Sequence, residues 1–117
     1  MNHGISQRKL GRPGDQRKAL LRGLVRSLFI HSTIVTSVTR AKEARKIAEK
    51  LITTAKTDTL QARREARKFL VDEDLVKLLF DNIVKRYETR NGGYTRIVRI
   101  GPRRGDAVEQ AALSLLD

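Results

Sequence analysis

Apolar residues recur along this chain with two different periods, and the switches between periods mark its elements. Leu20, Leu21, Leu24, Val25, Leu28 and Phe29 share one stripe of a helix that opens after Asp15. The Asp15 carboxylate stands where an N-cap accepts from unbonded first-turn amides. Thr33 to Val38 is β-branched at five of six positions, which favours a strand over a helix. Helical period returns from Thr39 to Lys56, with Ala41, Ala44, Ile47, Ala48, Leu51, Ile52 and Ala55 on one face. Asp58 followed by Gln61 reads as a capping box for a shorter helix ending about Leu70.

A fourth helix starts near Asp72. Its first turn holds Asp72, Glu73 and Asp74 and its last Lys85 and Arg86, each sign matched to the helix dipole. Leu75, Val76, Leu79, Phe80, Ile83, Val84 and Tyr87 give it the most apolar face in the chain, the expected centre of the core. Asn91-Gly92-Gly93 is a turn, and Tyr94 to Ile100 alternates as a strand does. Ala107 to Leu116 fits both a helix stripe and a strand face, and periodicity alone favours the helix. Residues 15–117 therefore read as one domain, since a chain of 117 residues has no room for two cores.

Charge changes the picture more than any single motif. Up to Lys68 there are 17 Lys and Arg against five acids, whereas the remainder holds eight of each. Residues 1–14, with three Gly, Pro13 and little apolar material, read as an extended basic arm that orders on an anionic surface. Between Ser27 and Val71 ten bases face four acids, too few for the usual i, i+4 pairing of a merely solvated helix face. Such an excess destabilises a small fold by self-repulsion unless a polyanion neutralises it, and nucleic acid is the first candidate. The bases continue well past the length of a targeting segment, so the charge belongs to the domain itself.

The cations divide by setting. Arg8, Lys9, Arg12, Arg17 and Lys18 sit where a chain can follow a groove, and Arg22 and Arg26 hold a fixed helical spacing. Lys42, Arg45 and Lys46 oppose the apolar stripe of the second helix; Arg63 and Arg64 do the same on the third. Aromatic residues make up only 4% of the chain, too few for base-stacking platforms. Tyr94, beside Arg96, reads as a core or sheet residue. Binding should thus rest on phosphates and shape, as for folded RNA.

No catalytic constellation is visible, so no enzyme activity is expected. The chain has no cysteine, which excludes disulfides, thiolate zinc sites and a cysteine nucleophile. His3 and His31 do not share a metal-ligand spacing, and His31 suits a helix C-terminus. Gly92-Gly93 lacks the rest of a phosphate-binding loop, so neither a metal nor a cofactor is expected. No apolar run approaches the ~20 residues of a membrane span.

Specific words then emerge. Ile34-Val-Thr-Ser-Val-Thr-Arg40-Ala41-Lys42-Glu43 resembles the signature of the bacterial large-subunit ribosomal protein family L seventeen. Gly92-Gly93-Tyr94-Thr95-Arg96-Ile97 is similar to that family's turn and strand. Arg8-Lys9-Leu10 with Arg12, Arg17-Lys18-Ala19, and Leu51-Ile52-Thr53 with Ala55-Lys56-Thr57-Asp58 agree in order and spacing. His3 matches as well, whereas Asn2, Gly4 and Ile5 depart from the family's basic or polar residues.

The resemblance implies an α+β fold: helix, strand, three helices and two strands, in two layers. The last two strands would pair with the first in a small mixed three-stranded sheet, which makes 107–116 a strand. It also implies a structural constituent of the cytoplasmic ribosome, bound to 23S ribosomal RNA near the polypeptide exit tunnel and beside neighbouring large-subunit proteins. His3, Arg8, Lys9, Arg12, Arg17, Lys18, Arg22, Arg26, Arg40, Lys42, Arg45, Lys46, Arg63, Arg64 and Arg96 are the expected RNA contacts. The principal rival is an architectural DNA-binding protein. A membrane-surface role suffers from a modest stripe without Trp, and an RNA-modifying enzyme from the missing catalytic set.

Overall fold

Local chemistry sets the helix boundaries in the computed structural model, which describes residues 14–116. Helix α1 (Gly14–His31) begins one residue before Asp15, the position expected to cap it. Strand β1 (Thr33–Ser37) stops one residue short of expectation because Ser37 caps the next helix, its hydroxyl accepting from the Arg40 amide at 3.3 Å. Helix α2 (Val38–Ala55) follows. Before α3 (Leu60–Leu70) the cap is Thr59, accepting from the Ala62 amide at 3.1 Å. The capping box at Asp58 and Gln61 is therefore displaced by one residue: Asp58 sits at φ 45 and binds Arg63, and Gln61 donates to Glu65.

Asp72 does cap α4, accepting from the amides of Asp74 (2.9 Å) and Leu75 (3.4 Å). This helix runs from an α-helical start (Glu73–Leu78) through a π-helical turn (Leu79–Ile83) into a last α-turn (Val84–Arg86). All seven apolar positions expected at the centre of the core are buried: Leu75, Val76, Leu79, Phe80, Ile83, Val84 and Tyr87. Val71, between α3 and α4, holds a left-handed φ of 64, which costs a β-branched residue about 1–2 kcal/mol.

Strands β2 (Thr95–Pro102) and β3 (Glu109–Leu115) complete the fold. The sheet order is β1-β3-β2 and both pairings are antiparallel. Two details of the expected sheet are thereby corrected. It is not mixed, and β2 pairs with β3 alone, leaving β1 at an edge. The cause lies in the connections: a tight loop after β2 returns the chain as an antiparallel neighbour, and β3 then accepts β1 on its other side. The strand reading of 107–116 holds, with Ala111, Leu113 and Leu115 buried at period two.

Helices α1 and α2 cover one face of this sheet, and α3 and α4 pack against them. Ile34, Leu113 and Ile97 stand in register on that inner side, and Thr33–Ser114–Arg96 and Val35–Ala112–Val98 form outer rows. Small residues make the layers fit. Ala41, Ala44, Ala48 and Ala55 are 1% exposed or less, so α2 approaches its neighbours closely, and Ile52, Leu28 and Val25 belong to the same buried core. Each such larger side chain contributes roughly 1.5–3 kcal/mol by burial. The core draws on both halves of the chain, although the charge does not.

Candidate nucleic-acid interface

Which cations can meet an external phosphate depends on what each already touches. Arg22 is turned toward the fold: its Nε donates to the Phe69 carbonyl at 2.7 Å and its guanidinium lies 5.7 Å from the Phe69 ring. Arg26 pairs with Asp72 at 3.6 Å, joining α1 to the cap of α4. Arg63 bridges Asp58 at 3.0 Å and stacks over Phe80 at 4.6 Å. Arg45 stands 3.7 Å from Glu49, and Lys46 donates at 3.1 Å to the buried Glu43. These five share their charge with the domain and remain partly exposed.

A second set differs. Among the described residues, Lys18, Arg40, Lys42, Arg64, Arg96 and Arg99 have no carboxylate within salt-bridge reach, and all but Arg40 are exposed. Arg17 is half-buried, and its Nε has no hydrogen-bond partner among the described residues. His3, Arg8, Lys9 and Arg12, with the rest of the basic arm, lie outside the described residues.

The fold gathers part of the cationic set into a cleft between α2 and β2. Val38, Lys42, Arg45, Lys46 and Glu49 line one wall, Ile97 and Arg99 the other, and the space measures about 520 Å³. Helical spacing brings the α2 residues to one side, and alternation brings Ile97 and Arg99 to the inner side of an edge strand. Arg99 is the residue that sequence reasoning missed. Its signal was present: in the run from Tyr94 to Ile100, Arg96 and Arg99 are three apart and so point to opposite faces. Arg96 stands on the outer face, beside Thr33 and Ser114 and away from the cleft. Arg40 opens onto a third region with Val35, Arg103 and Gln110.

Glu49 fixes the distance between the two walls. Its Oε1 accepts from the Gly93 amide at 3.2 Å, and its Oε2 accepts from the Thr95 amide at 3.2 Å and hydroxyl at 2.7 Å. Gly92 and Gly93 take φ values of +102 and +66, a left-handed pair that lets the chain turn onto this carboxylate. Tyr94 packs beside it, 1% exposed, with its ring centroid 5.2 Å from that of Tyr87. Burial pushes the Tyr94 phenol up, but hydrogen bonds from Thr53 and Lys56 and the Lys56 charge outweigh it, so the group ionises below its ordinary range. Tyr94 is a core residue, as expected.

At the far end of β2, Arg103 and Asp106 clasp the hairpin loop. Hydrogen bonds from Arg103, the Val108 amide and the Arg103 charge hold the Asp106 carboxyl down to about 2 from 3.8. A carboxylate lowered in this way contributes to stability above its unfolded value, and the contribution fades as pH falls through about 2. The clasp is therefore intact at neutral pH.

The family description "Ribosomal protein L17" matches residues 20–116, which include every described element beyond the first turns of α1. The chain belongs to the ribosomal protein L17 family. Relatives of the same kind are similar along nearly their whole length. A large ribosomal subunit protein bL17 from Clostridium perfringens is 57% identical over 109 residues, 93% of this chain and 96% of its own. That of Caldanaerobacter subterraneus is 54% identical over 112 residues, 96% of this chain and all of its own. The Clostridium acetobutylicum protein is 56% identical over 109 residues. Membership of ribosomal protein L17 makes this chain a structural component of the large ribosomal subunit and not an enzyme. Among the described residues no helix is long and apolar enough to cross a membrane.

Proposed function

We propose that this protein binds 23S ribosomal RNA in the large subunit by neutralising phosphates, close to the polypeptide exit tunnel. One observation carries the RNA reading. Lys42 and Arg99, beside Arg45 and Lys46, and Arg64 on α3 are exposed with no carboxylate in reach among the described residues. Uncompensated cations on a rigid frame release counterions from a polyanion at little conformational cost. Lys18, Arg40, Arg96 and the half-buried Arg17 extend the surface, and Arg22, Arg26 and Arg63 contribute charge from positions already braced by the fold. His3, Arg8, Lys9 and Arg12 belong to the same reading through the basic arm. The tunnel location rests on the family resemblance alone.

Neighbouring large-subunit proteins are the second class of partner. Val35, Val98 and Ile100 leave half or more of their surface open on the outer side of the sheet, at 57%, 51% and 56%. An exposed aliphatic face of this extent suits apolar protein side chains. The cellular site is accordingly the ribosome in the bacterial cytoplasm.

Competition separates this reading from an architectural DNA binder. Labelled 23S transcript bound to the full chain at physiological salt should resist a mass excess of random duplex DNA. Equal displacement by duplex DNA and by unlabelled transcript would favour the DNA-binding rival.

A further inference from the structure

We infer that the cleft between α2 and β2 seats a single unpaired RNA nucleotide, its phosphate on Lys42 and Arg99 and its base against Val38 and Ile97. This rests on the proposed RNA binding and adds to it the kind of RNA feature recognised. The lining is mixed in the way such a ligand is mixed. Val38, 9% exposed, and the part-buried Ile97 form an apolar floor, while the cations stand at the rim.

Charge selects the phosphate position. Within the cleft Glu49 faces Arg45, and Lys46 is paired with Glu43, so these charges largely offset one another. Lys42 and Arg99 have no such partner among the described residues, and they project from opposite walls. A phosphate between them would be gripped from two elements. Both Glu49 oxygens are already accepting from Gly93 and Thr95, so the carboxylate has little capacity left to read a base edge.

Shape excludes the commoner ligand. An intact A-form duplex presents phosphates, 2′-hydroxyls and base edges to a protein surface, all polar, which would leave Val38 and Ile97 buried against polar groups. A nucleotide displaced from a bulge offers a flat apolar base and one phosphate together. The cleft's 520 Å³ falls within the roughly 300–1,000 Å³ of sites that hold small ligands. With no free polar group on the floor, the site should accept any of the four bases.

The test uses the full chain and two labelled RNA hairpins, one perfectly paired and one identical but for a single unpaired nucleotide. Fluorescence anisotropy should show the bulged hairpin bound about tenfold more tightly, whichever base is unpaired, through burial of one base face against aliphatic side chains. In Lys42→Gln/Arg99→Gln that preference should vanish, with affinity for the paired hairpin falling only a few-fold. Both substitutions lie on the surface, and circular dichroism checks that the variant folds. Equal binding of the two hairpins by the unmodified chain overturns the inference while leaving RNA binding in place. Survival of the preference in the double variant overturns it too, by showing that bulge flexibility is read elsewhere. If neither hairpin binds better than duplex DNA of the same length, the wider RNA reading falls with it.

Discussion

Affinity of the full chain for 23S transcript should fall about 10³- to 10⁵-fold as salt rises from about 50 to 200 mM. The magnitude follows from counting. If roughly six to ten phosphates are neutralised, each contributes a slope of about −0.7 to −0.9 in log affinity against log salt. The first 68 residues hold 17 bases against five acids, so that number of contacts is available even after the internally paired cations are set aside. Filter binding across a salt series measures the slope. A flat titration would mean that the basic faces meet no phosphate, whatever else the protein does.

Replacing Glu49 with alanine should lower stability by about 2–3 kcal/mol, since two amides and a hydroxyl lose their acceptor together. For a domain of this size that is a fall in melting temperature of roughly 8–12 °C. The loss is larger than that of a surface ion pair because the side chain joins α2 to the turn before β2. Thermal melting by circular dichroism reads it directly. Glu49→Gln keeps one acceptor oxygen and should recover part of the loss. An unchanged melting temperature in Glu49→Ala would show that the Gly93–Thr95 turn is held by Tyr94 packing alone.

Much of this fold could be read from periodicity. The α2 stripe of Ala41, Ala44, Ala48 and Ile52 is buried as its spacing requires, and Asp72 caps α4 as its position suggests. Where reading failed, several local solutions were nearly equal in energy. Asp58 and Thr59 are both good caps, and only the tertiary path of the chain puts Thr59 in place. Ala107 to Leu116 carries Ala and Leu at spacings that serve helix and strand alike. The pairing of β3 with two neighbours decides it, and the family resemblance anticipated that outcome where periodicity had not. The π-turn at Leu79–Ile83 has no sequence signal, because it adjusts the register of a helix whose apolar face is continuous.

The interface was legible as charge but not as geometry. A sequence counts Arg22 and Arg26 with the other bases, yet the fold gives Arg22 to the Phe69 carbonyl and Arg26 to Asp72. Arg99 went unselected because its worth comes from facing Lys42 across a cleft, a relation between residues far apart in the chain. The charge boundary near Lys68 has no counterpart in the packing. Instead Val25, Leu28, Ala44 and Ile52 pack into one core with Leu79, Ile83 and Leu113.

The most direct measurement is sedimentation of the full chain with large ribosomal subunits stripped of this protein, followed by a high-salt wash. The protein should pellet with the subunits at physiological salt in one-to-one amount and be displaced as ionic strength rises. Failure to pellet with stripped subunits, while the folded chain remains soluble and intact, would contradict a phosphate-binding place in the particle.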